Sequence, residues 1–118
     1  MRDHTKLLAF ELADEIAVLI YQMTAAFPKE EMYGLTSQMR RAAVSVPSNI
    51  VEGCAREGEA DYLRFLSIAF ASLRELRYQV SLASRLGFFS DQNAGVVTPK
   101  IMETEKVING LIRALRHG

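Results

Sequence analysis

Residues 60–86 read ADYLRFLSIAFASLRELRYQVSLASRL, and within them Leu66, Ala69, Leu73, Leu76, Val80 and Ala83 recur at steps of three or four. That period lays a single apolar stripe along one face of an α-helix. The stretch predicts a helix from about Ala60 to Leu86, closed by Gly87, which accepts the left-handed conformation favoured just past a helix end. Toward the N-terminus, Glu57-Gly58-Glu59 makes a break, and before it Met39, Ala43, Val46, Ile50 and Cys54 form a second stripe with Thr36 as its expected N-cap. Pro47 interrupts this second helix. Its nitrogen has no hydrogen to offer the Ala43 carbonyl, which predicts a kink. Earlier still, Leu8, Leu12, Ile16, Leu19, Met23 and Phe27 define a first helix between Thr5 and Phe27. It stops at Phe27-Pro28, because a residue before proline avoids the α region. Beyond Gly87, the stripe Ile101, Thr104, Ile108, Leu111 and Leu115 marks a fourth helix. Thr98-Pro99 reads as an N-cap with proline at the first helical position and places the start at Thr98. A start near Asp91 with a bend at Pro99 fits the same residues.

Four amphipathic segments, short connections and no alternating pattern predict an all-α, antiparallel up-down-up-down four-helix bundle occupying residues 1–118 as one domain. Helices of about 20 residues or more are about 30 Å long, so the bundle should be a rod with exposed sides. The chain carries 14 basic and 14 acidic residues, with 49% apolar and 24% charged side chains. This composition excludes a disordered chain, and zero net charge argues against a strongly electropositive nucleic-acid binder. Cys54 is the sole cysteine. It excludes an intrachain disulfide and a cysteine-based zinc cluster, and fits a reducing compartment. The N-terminal stretch lacks the continuous apolar centre of an export signal, and the longest mostly apolar run, residues 16–27, covers about half of the roughly 20 residues a membrane span requires. A cytoplasmic protein without membrane contact is expected.

No catalytic, metal-binding or cofactor-binding set emerges. Helical bundles hold di-iron centres through paired Glu-x-x-His motifs. Here the two histidines, His4 and His117, lie at opposite chain ends, and neither has a glutamate three residues before it. Glu11, Asp14 and Glu15 share a helical face and read as a solvated surface. Ser45, Ser48 and Cys54 have no histidine base near them in sequence and no glycine-rich phosphate loop, which argues against nucleophilic catalysis.

The polar residues around Pro47 have two readings. Ser45, Ser48 and Asn49 could satisfy the backbone groups released by Pro47, with Gly53 admitting the third helix closely and Cys54 filling core space. Alternatively they line a polar pocket. An antiparallel turn near residues 56–57 brings Arg40 and Arg41 level with Leu73, Arg74 and Glu75, predicting an interhelix ion pair from Arg40 or Arg41 to Glu75. In the competing reading Arg40, Arg74 and Arg77 form a basic strip. Apolar residues off the main stripes, among them Phe10, Ile20, Tyr62, Phe65, Phe70 and Tyr78, suggest either a second buried face between subunits or a broad single core.

Residues 27–43, FPKEEMYGLTSQMRRAA, run on into VSVPSNIVEG at 44–53, and the third helix carries ASLREL at 71–76. These segments resemble the four-helix-bundle proteins encoded in intervening sequences of bacterial 23S ribosomal RNA genes. The likeness extends through residue 86 and thins in the fourth helix. It implies a bundle without established enzymatic activity, a ring-like homopentamer, and a role attached to ribosomal RNA by gene location. The family is similar to the accessory subunit of diversity-generating retroelements, which is strongly basic, whereas this chain is neutral. Residues and resemblance together point to a non-enzymatic, self-associating scaffold or binding module, with ribosomal RNA or another protein as partner. The alternative is an RNA-binding protein contacting phosphates through Arg40, Arg41, Arg56, Arg64, Arg74 and Arg77 on the second and third helices.

Overall fold

A computed structural model describes residues 2–118. It contains four α-helices, and no strand among the described residues: α1 (Leu8–Thr24), α2 (Leu35–Cys54), α3 (Glu59–Arg85) and α4 (Asp91–His117). Short 3-10 turns at His4–Lys6 and Lys29–Glu31 precede α1 and α2. Each helix packs against two others, α1 on α2 and α4, and α3 on α2 and α4. The molecule measures 44 × 23 × 19 Å, the elongated shape that long parallel-sided helices produce. The stripes meet in one core, where Ile16, Met39, Ile50, Leu66, Leu73, Leu76, Ile101 and Ile108 are fully buried.

The helix ends depart from the sequence reading for local reasons. Thr36 is not the N-cap of α2. The helix begins two residues earlier than that cap implies, Gly34 occupies the cap position, and Glu31 Oε1 accepts from the Leu35 amide at 3.1 Å, so a carboxylate from the preceding turn satisfies the helix end. Nor does α4 start at Thr98. The Ser90 hydroxyl accepts from the Asn93 amide at 3.0 Å and caps a helix that begins at Asp91 and continues through Pro99. The carbonyl opposite Pro99 belongs to Gly95, and Val97 is buried in the core, which recruits this turn into the helix. Phe27 lies beyond α1 but stays in the core, packing against Phe88 and Phe89 with ring centroids 5.7 and 5.3 Å away. Gly87 does close α3. At φ 82° it donates to the Ser84 carbonyl while the Phe88 amide reaches that of Ala83.

Helix α2 lies close against α3 at Gly53, where a Cβ would lie 2.9 Å from Phe65 Cβ and 3.2 Å from Tyr62 Cδ1. Beside this contact Arg2 donates from its backbone amide to the Cys54 carbonyl and from its side chain to that of Arg56, tying the N-terminus over the end of α2. Its guanidinium stacks 4.0 Å from the Tyr62 ring centroid. Burial, reinforced by the neighbouring Cys54 thiol, pushes the Tyr62 phenol up to about 12, and burial likewise raises Cys54. Of the off-stripe apolar residues, Ile20, Tyr62 and Phe65 belong to this core and Phe10 and Phe70 pack partly against it, whereas Tyr78 is exposed. Most of that set widens one core and does not make a second face.

Helices α3 and α4 are joined by a charge cluster. Glu105, only 6% exposed, accepts from Arg77 Nη1 at 3.0 Å and lies 3.3 Å from Arg74 Nε. The buried carboxylate requires compensation, and two half-exposed guanidinium groups supply it from the rim. Thr104, the polar residue in the α4 stripe, donates to the Lys100 carbonyl at 2.7 Å and is thereby accommodated in the core.

Three predictions follow from this packing. Gly53→Ala should lower stability, because overpacking at about 1–3 kcal/mol exceeds the gain of about 1 kcal/mol in helix propensity. Gly110→Ala, where a Cβ meets nothing within 4 Å, should raise it by about 0.5–1 kcal/mol; denaturant melts of the two variants should move in opposite directions. Arg77→Ala should cost about 1–3 kcal/mol through the lost charged hydrogen bond and Arg74→Ala less than about 1 kcal/mol, again by denaturant melts. Between the ordinary tyrosine value of about 10 and the raised value of about 12, the unfolded chain ionises at Tyr62 while the folded one keeps its proton. Stability should therefore fall across that window, more steeply in the native sequence than in Tyr62→Phe.

Candidate functional site

A groove of about 690 Å³ runs along the outer face of α2. Ser37, Arg40, Arg41, Val44, Ser45, Ser48 and Asn49 recur at helical spacing and form its base. Tyr21 on α1 and Met32 and Tyr33 in the α1–α2 connection make the other wall, and Thr36 completes the lining. Tyr33 is 97% exposed at the rim.

Arg40 is held in place by α1. Its Nε donates to Thr24 Oγ1 at 2.9 Å, its Nη2 to the Tyr21 carbonyl at 3.3 Å, and its guanidinium lies 4.7 Å from the Tyr21 ring centroid. Thr24 can accept because its own hydroxyl hydrogen goes to the Ile20 carbonyl at 2.6 Å. Arg41 borders both this groove and a neighbouring polar cleft of about 400 Å³ shared with Gln38, Ser45, Ser72 and Glu75. The expected ion pair to Glu75 is not formed from either arginine: Arg40 turns to α1, Arg41 has no carboxylate within ion-pair distance among the described residues, and Glu75 instead accepts from Gln79 at 3.3 Å. Register brought the residues to one level, and Arg41 and Glu75 line the same cleft without closing to ion-pair distance, while Arg40 is drawn to α1.

Around Pro47 the polar network centres on Ser45. Asn49 Nδ2 donates to the Ser45 carbonyl at 2.7 Å and to its hydroxyl at 2.9 Å, and that hydroxyl is 2.9 Å from Ser72 Oγ on α3. A residue four positions on reaches back to its own turn more readily than to the Ala43 carbonyl two residues further away. Ser48 is exposed on the groove side.

The six arginines do not form one strip. Arg40 and Arg41 belong to the α2 groove, and Arg74 and Arg77 engage Glu105 on the side of α4. Arg56 and Arg64 pair locally with Glu52 and Asp61 while lying over the Phe65 ring at 5.0 and 4.5 Å. The sequence reading missed Glu105, although a carboxylate directly after a core threonine in the α4 stripe is a visible signal. It also missed the Tyr21, Met32 and Tyr33 wall: Tyr21 lies off the apolar stripe of α1, and Met32 and Tyr33 sit in a connecting segment where helical periodicity carries no signal.

Among the described residues there is no group of three or more His, Cys, Asp or Glu side chains placed to hold a metal ion. Nor, among the described residues, is any helix long and apolar enough to cross a membrane.

In its fold the chain is similar to a crystal structure of a protein of unknown function from the S23 ribosomal protein family of Bacteroides thetaiotaomicron. The two share 21% identity, with a TM-score of 0.83 over 90% of this chain and 96% of that one. No curated protein matches the sequence. Residues 5–110 match the family model described as the 23S rRNA-intervening sequence protein, a span that takes in all of α1, α2 and α3, the groove, and Glu105 with its arginines. The chain belongs to the 23S rRNA-intervening sequence protein family.

Proposed function

We propose that this protein is a non-enzymatic helical scaffold or binding module that associates with copies of itself in the cytoplasm. The observation that carries the reading is the set of large apolar side chains left exposed along the rod. Leu8 and Val18 on α1, Ile68 and Tyr78 on α3, and Val96 and Met102 on α4 all face solvent. Exposed apolar surface of this extent on long helices suits subunits packed side by side. Five copies in a ring is the stoichiometry the family resemblance suggests.

The reading takes the chain as a single domain in up-down-up-down order with a bend at Pro47. One shared core supports the single domain. The α2–α3 contacts support the order, since Gly53 meets Phe65 while Ser45 meets Ser72, so that numbers fall on one helix as they rise on the other. The missing donor opposite the Ala43 carbonyl supports the bend.

RNA binding through the helix 2 and 3 arginines is the weaker reading. Arg56, Arg64, Arg74 and Arg77 each have a carboxylate within 3.8 Å, which cancels much of the field that phosphate binding needs.

Sedimentation equilibrium should give a mass several times 13.2 kDa, five times by family resemblance, and a monomer at all concentrations would overturn the proposal. Filter binding of ribosomal RNA fragments across a salt series should show no steep dependence; a slope of several phosphate equivalents would favour the RNA reading.

A further inference from the structure

The α2 groove deepens the binding-module reading, on which this inference rests, by indicating what the module holds. Its lining contains two guanidinium groups and no carboxylate. Arg40 is fixed by Thr24 and Tyr21, whereas Arg41 has no ion-pair partner among the described residues. Thr36, only 3% exposed, lines the same groove with its hydroxyl lacking any hydrogen-bond partner among the described residues. The remaining wall is apolar and aromatic, and about 690 Å³ falls in the range of small-molecule sites.

Two cations are enough for one anionic group and too few for a run of phosphates, which favours a small ligand over a nucleic-acid strand. A flat apolar body suits the Tyr21 and Tyr33 rings, which stack on planar partners. We propose that the groove binds a small amphipathic anion, a planar apolar body bearing a carboxylate or phosphate, with Arg41 on the anion and Tyr21 and Tyr33 against the planar body.

Fluorescence titration of the full chain with four probes tests this: 2-naphthoate, 2-naphthyl phosphate, uncharged 2-naphthylmethanol, and inorganic phosphate as a competitor. At least one charged naphthyl probe should bind saturably and at least about fivefold more tightly than the alcohol, and whichever binds tighter identifies the anion. Inorganic phosphate should displace neither at matched concentration. Arg41→Gln should bring the charged probe down to the affinity of the alcohol, Tyr33→Ala should weaken both naphthyl classes, and Arg113→Gln on α4 should change nothing, with circular dichroism confirming that each variant is folded. Equal affinity for charged and neutral probes, or affinity unmoved by Arg41→Gln, would overturn the assignment. So would displacement of the probe by a short oligouridylate at equal or lower concentration, which would transfer the groove to single-stranded nucleic acid. Sedimentation of the same samples separates the two claims: an assembled protein that binds no probe sinks the ligand assignment alone, and a monomer that binds it sinks self-association alone.

Discussion

Helix α2 is pressed between α1 and α3, and the contact at Gly53 sets how closely it can lie. With no side chain at that position, Phe65 and Tyr62 close onto the α2 backbone, and a Cβ there would sit 2.9 Å from its neighbour. Overpacking a contact of this kind shifts backbone as well as side chains. The Ser45–Ser72 hydroxyl pair and the groove lie along the same helix, and the Arg2 strap covers its end.

Burial and local pairing both shape the charge distribution. Among the described residues Glu105 is the one buried carboxylate, and Arg74 and Arg77 both reach it on α4. That removes two cations from any surface strip, while Arg56 in the α2–α3 connection and Arg64 on α3 are matched by Glu52 and Asp61 four and three residues away. Exposed local pairs of the latter kind stabilise little, but they still reduce the local field. Arg40 and Arg41, neither in an ion pair among the described residues, lie together in the α2 groove, where Arg40 is anchored by hydrogen bonds and Arg41 is not. A chain with zero net charge thus keeps a small, localised cationic site beside aromatic surface.

The four helices were legible because their apolar residues repeat at three and four, and a stripe buried against neighbours leaves that mark whatever those neighbours are. The close approach at Gly53 and the cap at Gly87 were legible too, since each depends on what glycine alone permits. The start of α4 was legible only as one of two alternatives: Thr98-Pro99 carries a strong local start signal, but the Ser90 cap and the burial of Val97 decide for the start at Asp91, and tertiary packing outweighs a local preference of that size. The cap of α2 was hidden for a similar reason, because Glu31 supplies it from a separate turn.

The candidate site was only half legible. Arg40, Arg41, Ser45, Ser48 and Asn49 stood out in the sequence, yet their pairing with Glu75 and their union with distant arginines into one strip did not occur. Periodicity fixes which face of a helix a residue occupies, because that follows from backbone geometry along a single element. Which partner a long side chain reaches is a competition among groups brought close by several elements at once, and only the assembled fold decides that Arg40 belongs to Tyr21 and Thr24, that Arg77 belongs to Glu105, and that Arg41 is left facing the groove.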